Sequence, residues 1–433
     1  MNKVILLIFI LCASILHSQQ TPAPIQKKSI AIKGAKAHIG NGKTISNSLI
    51  IFENGILNYV GDNNNNKDLS NCVVIQAFGK NVYPGLIIPN STLGLIEIDA
   101  VRASDDVSEI GEWNPHIRSL IAYNTESRVV ETMRPNGVLI AQITPRGGVI
   151  SGRSSIVQLD AWNWEDSVIK TDDGIHMNWP NNYSYGRWWK GEDPGLKINN
   201  KYAEKVNEIE TYFNNAKAHI KKSNNKINLP FESMEELFNN NTKLYIHVDD
   251  EKGIIDAVSL AQKYGINKIT IVGGYESHKI TDFLIKNNIS VLLQRVHSRP
   301  EKNDDDYDLP YKLAKKLVDA GITVGLEASG DMERMNSRNL PFYAGTTAAY
   351  GLSKEQALML ITLNNAKILG IDQKYGSLEV GKSATLFISE GDALDIRTNN
   401  LLNAFIDGRE ISLESHQTKL WKRYSEKYQI PIN

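Results

Sequence analysis

The chain has 433 residues, 41% of them apolar and 22% charged, with a formal net charge of −1. That length supports a full-sized core, arranged as one large domain plus a smaller one. A charge so near zero leaves no electrostatic footprint for nucleic acid, so the expected partner is a small molecule. Of the two cysteines, Cys12 lies in the N-terminal apolar run. The remaining Cys72 cannot form an internal disulfide or a cysteine-based metal site on its own.

The N-terminus places Lys3 before an apolar run at 4–16, followed by His17-Ser18-Gln19-Gln20. A charge, a short apolar run and a small residue suited to cleavage read as a signal peptide over 1–18. The expectation is export to the periplasm or the extracellular space, with no membrane span in the mature chain. A buried N-terminal helix is the alternative. β-formers then cluster at 29–39, 48–60 and 73–77 around the turns Asn41-Gly42 and Asn54-Gly55. Matching short strands recur at 384–389 and 403–411, around Asp407-Gly408. A few short strands bury no core alone, so a small β-sandwich domain assembled from 29–82 and 374–413 is expected.

Between these segments, strand and helix patterns alternate. Pro84-Gly85 precedes an apolar run at 86–88, and further strands are expected at 137–144, 155–159, 243–248, 268–272, 290–293 and 322–326. Helices are expected at 253–264, 276–287, 309–320 and 343–351. This alternation implies parallel βαβ units and an α/β fold, a (β/α)8 TIM-type barrel over 83–373. An open doubly wound sheet is the runner-up, without a G-x-G-x-x-G to support it. Residues 414–433 form a helical tail. At the end of the first strand, Asn90 and Thr92 share one face, which would line the barrel mouth. The stretch 160–189 carries Trp162, Trp164, Trp179, Trp188 and Trp189 in a polar context. Trp162 and Trp164 are read as substrate-binding loop residues over the mouth, or as packing for a long loop. Arg153 joins them as a substrate contact, and with Arg146 and Arg187 it could form an anion clamp.

The segment 82–95, VYPGLIIPNSTLGL, resembles the first barrel strand of the metal-dependent amidohydrolases, whose pattern PGL-I-D-x-HxH carries two metal-binding histidines. The stretch 361–410, with ITLNNAKILG and GSLEVGKSATL, is similar to that family's barrel-closing segment, apart from Thr385 where the family has Asp. GGVISGRSSIVQL (147–159), LPFYAGTTAAYGLSKEQAL (340–358) and the loop with Asp106, Glu109 and Asn114-Pro115 resemble its imidazolonepropionase-like branch. The resemblance implies a hydrolase acting on non-peptide carbon–nitrogen bonds of a small substrate. In that family a metal lowers the pKa of bound water and an aspartate moves the proton.

Carried over by motif, His247 in YIHVDD takes the strand-five ligand position. Asp331 in ASGD takes the strand-eight position, as both ligand and catalytic proton shuttle. Asn90, Thr92 and Gly273 stand where the family has ligands, and no strand-four ligand is placed. Asp249 is either a compensating ligand or a helix cap; Glu276, His278 and His297 are nearby alternatives that also read as surface or loop residues. The implied cofactor is one divalent metal, zinc foremost, or none. The alternative is a metal-free relative serving as a binding protein or as the partner subunit of an active paralogue, with a homo-oligomer left open.

Overall fold

The computed structural model describes residues 21–431, apart from 66, 187, 194, 223–225 and 331. The expected signal segment at 1–18 lies outside the described residues.

Eight strands form one sheet in chain order: β1 (Leu86–Ser91), β2 (Val138–Ile143), β3 (Ile150–Gln158), β4 (Val168–Asn178), β5 (Lys243–Val248), β6 (Ile269–Gly273), β7 (Ser290–Leu293) and β8 (Val324–Leu326). The sheet curls into a nearly closed barrel. Its seam is bridged by Asn365, whose Nδ2 donates to the carbonyls of Ile87 on β1 (2.8 Å) and Leu326 on β8 (3.1 Å). Gly325 makes room for this bridge, because a Cβ there would stand 1.9 Å from Asn365 Oδ1. Inside, Ile87, Ile140, Ile156, Tyr245, Val272 and Leu292 form a layer closed from below by Ile368 and Leu369 of the helix Leu363–Leu369. Outside, amphipathic helices cover the strands. The helix Glu251–Lys263 buries Ile254, Ala257, Val258 and Ala261, and Leu309–Asp319 buries Leu313, Ala314 and Leu317. Each presents apolar residues at the i, i+3, i+4 spacing that one helix face requires.

Two features depart from a uniform parallel barrel. β3 runs antiparallel to both neighbours. The stretch at 160–189 is also not one loop, because its middle is the eleven-residue strand β4. The sequence hides this strand behind Lys170-Thr171-Asp172-Asp173-Gly174. Asp172 adopts the left-handed conformation, with φ 47°, beside a register shift against β3. Asp173 turns its carboxylate into the barrel, where hydrogen bonds replace apolar packing.

A smaller region consists of two sheets. One has four strands, all from residues 29–76. The other has six and joins Lys36–His38, Thr44–Ile45 and Asn81–Pro84 to Leu386–Ser389, Leu401–Ile406 and Arg409–Glu410. Ile32, Phe52, Val82, Leu386 and Phe405 share one buried cluster, so both ends of the chain build this core. Asp160 ties the region to the barrel, accepting from Arg134 (2.9 Å) and Arg409 (3.0 Å) while almost wholly buried. The chain ends in the helix His416–Tyr428. Among the described residues, no helix is long and apolar enough to cross a membrane.

Candidate active site

The barrel mouth is framed by the C-terminal ends of β1, β2 and β4–β8. At its first strand Asn90 adopts φ 51°, a conformation that asparagine tolerates better than most residues. This kink breaks the side-chain alternation, so Asn90 and Thr92 do not share a face as expected. The Asn90 backbone N–H donates to Gln142 Oε1 (2.9 Å) and its Nδ2 donates to Glu327 Oε2 (3.0 Å). Ser91 Oγ and Thr92 Oγ1 instead both donate to Glu333, each at 2.7 Å, and the Thr92 N–H adds a third bond at 3.1 Å. Arg146, just past β2, donates to Asn90 Oδ1 (2.9 Å) and to the Asn90 carbonyl (2.7 Å), and stands 3.8 Å from Glu333.

Below this rim lies a buried polar network. Asp173 on β4 accepts from Ser154 Oγ (2.7 Å), Tyr245 Oη (2.8 Å) and Gln142 Nε2 (3.0 Å). Burial nevertheless pushes its carboxyl above the usual range. With its proton directed at Asp173, Ser154 Oγ accepts from His176 Nε2 (2.9 Å). The other His176 nitrogen, Nδ1, is then the acceptor for His247 Nε2 at 2.9 Å. An ionised Asp173 fixes the tautomers of both imidazoles through this chain of donors and acceptors. His176 also stacks on Tyr245 with ring centroids 4.6 Å apart, and only glycine at 174 leaves space for that ring. Burial, and then the charge of Arg146, pushes His247 down to about 3. Burial lowers His176 well below the ordinary histidine value too. Both rings are neutral near neutral pH.

The carboxyl at the end of strand eight is Glu327, directly after β8 and fully buried. Burial outweighs its bonds from Ser329 and Asn90 and raises it to about 7. Asp331 lies outside the described residues. Asp249 is not a helix cap: the cap of Glu251–Lys263 is Asp250, which accepts from the Gly253 N–H at 2.8 Å. Asp249 is raised to about 7 by burial and then by Glu301. Its carboxylate fills the space above Gly273, where a Cβ would meet Oδ1 at 2.4 Å. The strand-six position is thus occupied by a carboxylate from the neighbouring strand's end.

Other expected contributors are placed elsewhere. Because β3 runs backwards, the turn after it opens at the end of the barrel opposite the mouth. Trp162, 64% exposed, and Trp164, in the short helix Trp164–Ser167, are in that turn and do not line the mouth. Arg153 spends Nε on the Pro115 carbonyl (3.0 Å) and Nη2 on that of Ser233 (2.6 Å), binding loop to loop instead of substrate. Trp179 is buried, its Nε1 donating to Tyr202 Oη. Arg187 lies outside the described residues. Glu276 caps the Glu251 N–H; against the penalty of its burial, Lys279 and Lys302 lower it to about 2. His278 contacts the Tyr275 carbonyl, and His297 contacts Thr346 Oγ1. The sequence reading missed His176, Asp173, Gln142, Glu327 and Glu333. Glu327 carried a usable signal, being the first residue past an apolar strand.

The described donors do not fit a metal. Among the described residues, no group of three or more His, Cys, Asp or Glu could hold one. His247 Nε2 and His176 Nδ1 stand 2.9 Å apart, at hydrogen-bond distance from each other, whereas two nitrogens on one tetrahedral zinc stand roughly 3.3 Å apart with both lone pairs on the metal. Asn90 offers an amide N–H to Glu327, Thr92 is bound to Glu333, and Arg146 adds a fixed positive charge at the rim.

Residues 310–412 match the model of the amidohydrolase family. The chain is 24% identical over 385 residues to an imidazolonepropionase of Picrophilus torridus, covering 82% of this chain and 88% of that protein. It is 26% identical over 187 residues to an imidazolonepropionase of Flavobacterium psychrophilum, a match that spans 39% of this chain and 46% of that relative. The fold is that of an amidohydrolase crystal structure from Thermotoga maritima, with a TM-score of 0.76 at 23% identity over 88% of this chain and 99% of the other. Together these matches support the amidohydrolase superfamily.

Proposed function

We propose that the chain is an amidohydrolase-type hydrolase acting on a non-peptide carbon–nitrogen bond of a small substrate at the barrel mouth. The observation that carries this reading is the convergence of Asn90, His176, His247 and Glu327 at the strand ends of a barrel whose superfamily is supported by the matches above. Hydrolysis of such a bond adds water to the carbonyl carbon and moves a proton to the leaving nitrogen. A carboxyl at about 7, as Glu327 is, can take that proton and return it near neutral pH. Neutral His247, held by His176, orients a hydrogen bond without carrying charge. No step is assigned to a metal, since the described donors do not fit one.

The test is turnover of cyclic amides and N-acyl amino acids by the purified chain, beside Glu327→Gln and Asp331→Asn. Loss of about 100-fold or more in kcat for Glu327→Gln, with KM nearly constant, supports the assignment. An unchanged kcat refutes it. The same comparison tests Asp331, assigned by resemblance as proton shuttle. A second reading is favoured by the His176–His247 bond: an incomplete metal site in a binding protein or partner subunit. Ligand-induced stabilisation without turnover would select it. We also read residues 1–18 as a signal peptide directing export; a mature N-terminus near Gln19 in secreted material supports that, and retention of Met1 refutes it.

A further inference from the structure

We propose that the barrel mouth is a metal-independent site for a small organic carboxylate, received by the Arg146 guanidinium. This deepens the reading of the mouth as the substrate site and rests on it. Arg146 is fixed at the end of β1 by its two bonds to Asn90, one to the backbone and one to the side chain. That is the place where the resemblance sets a pair of metal-binding histidines. The guanidinium therefore supplies a permanent positive charge at the point where the family places a cation. Its charge is felt at His176 on β4, His247 on β5 and Glu327 just past β8, where Glu333 acts in the opposite sense.

Glu333 tempers this charge without a hydrogen bond to it, its Oε2 standing 3.8 Å from Arg146 Nη2. The Glu333 carboxylate is taken up by Ser91, both donors of Thr92, and Ser337. Three of the five guanidinium N–H groups go to Asn90 Oδ1, the Asn90 carbonyl and, at 3.4 Å, the Thr144 carbonyl. Nε–H and the second N–H of Nη2 make no hydrogen bond among the described residues. They lie on one edge of the guanidinium, the edge that grips a carboxylate through two parallel bonds. His247 contributes the complementary feature. With Nε2–H given to His176, its Nδ1 presents a lone pair that accepts an N–H. The ligand class is a small carboxylate that also carries an amide or amine N–H.

The experiment uses the full chain stripped with EDTA, with thermal unfolding followed against formate, the neutral amide formamide, and zinc. N-acetylglycine and N-acetylglycinamide extend the pair. The expected result is a saturable rise in Tm with formate and N-acetylglycine, little with either amide, and no competition from zinc. Arg146→Gln is expected to weaken the carboxylates by about tenfold or more. Arg146→Lys, which keeps charge but loses the fork, should fall between and guards against misfolding of the first variant. Three outcomes overturn the proposal: no response to formate, an equal response in Arg146→Gln, or stoichiometric zinc binding lost in His247→Ala. Zinc-dependent hydrolysis would refute it while leaving the hydrolase reading intact. Arg146-dependent carboxylate binding without turnover of any amide would do the reverse.

Discussion

The mouth is governed by which carboxyls are buried and which positions leave room for a side chain. Glu327 and Asp249 are both held at about 7 in the fold, chiefly by burial, against ordinary carboxylate values near 4 in the unfolded chain. The folded protein therefore binds more protons than the unfolded one between those values. Their contribution is fully present below about pH 4 and is lost as pH rises towards about 7. For Glu327 the loss amounts to at most about 3 kcal/mol. Denaturant midpoints measured from pH 4 to 8 should fall less steeply in Glu327→Gln than in the parent, and parallel curves would contradict the buried carboxyl. Gly273 supplies a second test. It combines φ 94° with the Asp249 carboxylate at Cβ distance. Gly273→His should lose roughly 1–2 kcal/mol from the left-handed backbone alone, and more from the clash, read as a lower urea midpoint. Placing a histidine here therefore requires removing Asp249 as well.

At the level of elements, the antiparallel course of β3 decides where functional side chains can stand. It carries Trp162, Trp164 and Asp160 to the end away from the mouth, where Asp160 becomes a buried joint between the barrel and the smaller region. Removing a carboxylate from between two arginines leaves their charges buried and uncompensated. Asp160→Ala is expected to cost about 3–5 kcal/mol, with little change on adding salt, as measured by denaturant titration. A loss below about 1 kcal/mol would mean that water or another group takes over the pairing. The strands and helices with clear periodicity were legible in the sequence. Lys243–Val248 and Ser290–Leu293 coincide with their expected bounds, and Leu309–Asp319 ends one residue early. β4 was not legible, because Asp173 and Gly174 break its apolar run for the sake of a buried network and the Tyr245 ring.

Across the whole molecule, the two ends of the chain meet in one core. Phe405, fully buried against Phe52 with ring centroids 5.2 Å apart, joins the last strands to the first. Phe405→Ala should cost about 3–5 kcal/mol. It should also lower the protection of amides in residues 48–53 in hydrogen exchange, although these lie more than 350 positions away in sequence. Protection lost only near residue 405 would show that the two ends are not energetically coupled. The termini thus serve the barrel from outside, through the joint at Asp160 and Arg409, while the chemistry stays at the opposite end.

The sequence by itself determined the barrel class, the recruitment of both ends into a β region, and which side chains, Asn90 and Thr92, stand at the end of the first barrel strand. Those features are written in local periodicity, turn residues and motif spacing, all of which act over short stretches of chain. Only the tertiary structure decided what fills the mouth. His176, Glu327 and Arg146 come from separate elements, and the nitrogens of His176 and His247 meet because β4 lies beside β5. The raised carboxyls at Glu327 and Asp249, and the guanidinium fastened to Asn90, follow from burial and from contacts across the barrel. Such contacts join residues far apart in sequence, and their energies depend on a solvent exclusion that no local pattern records.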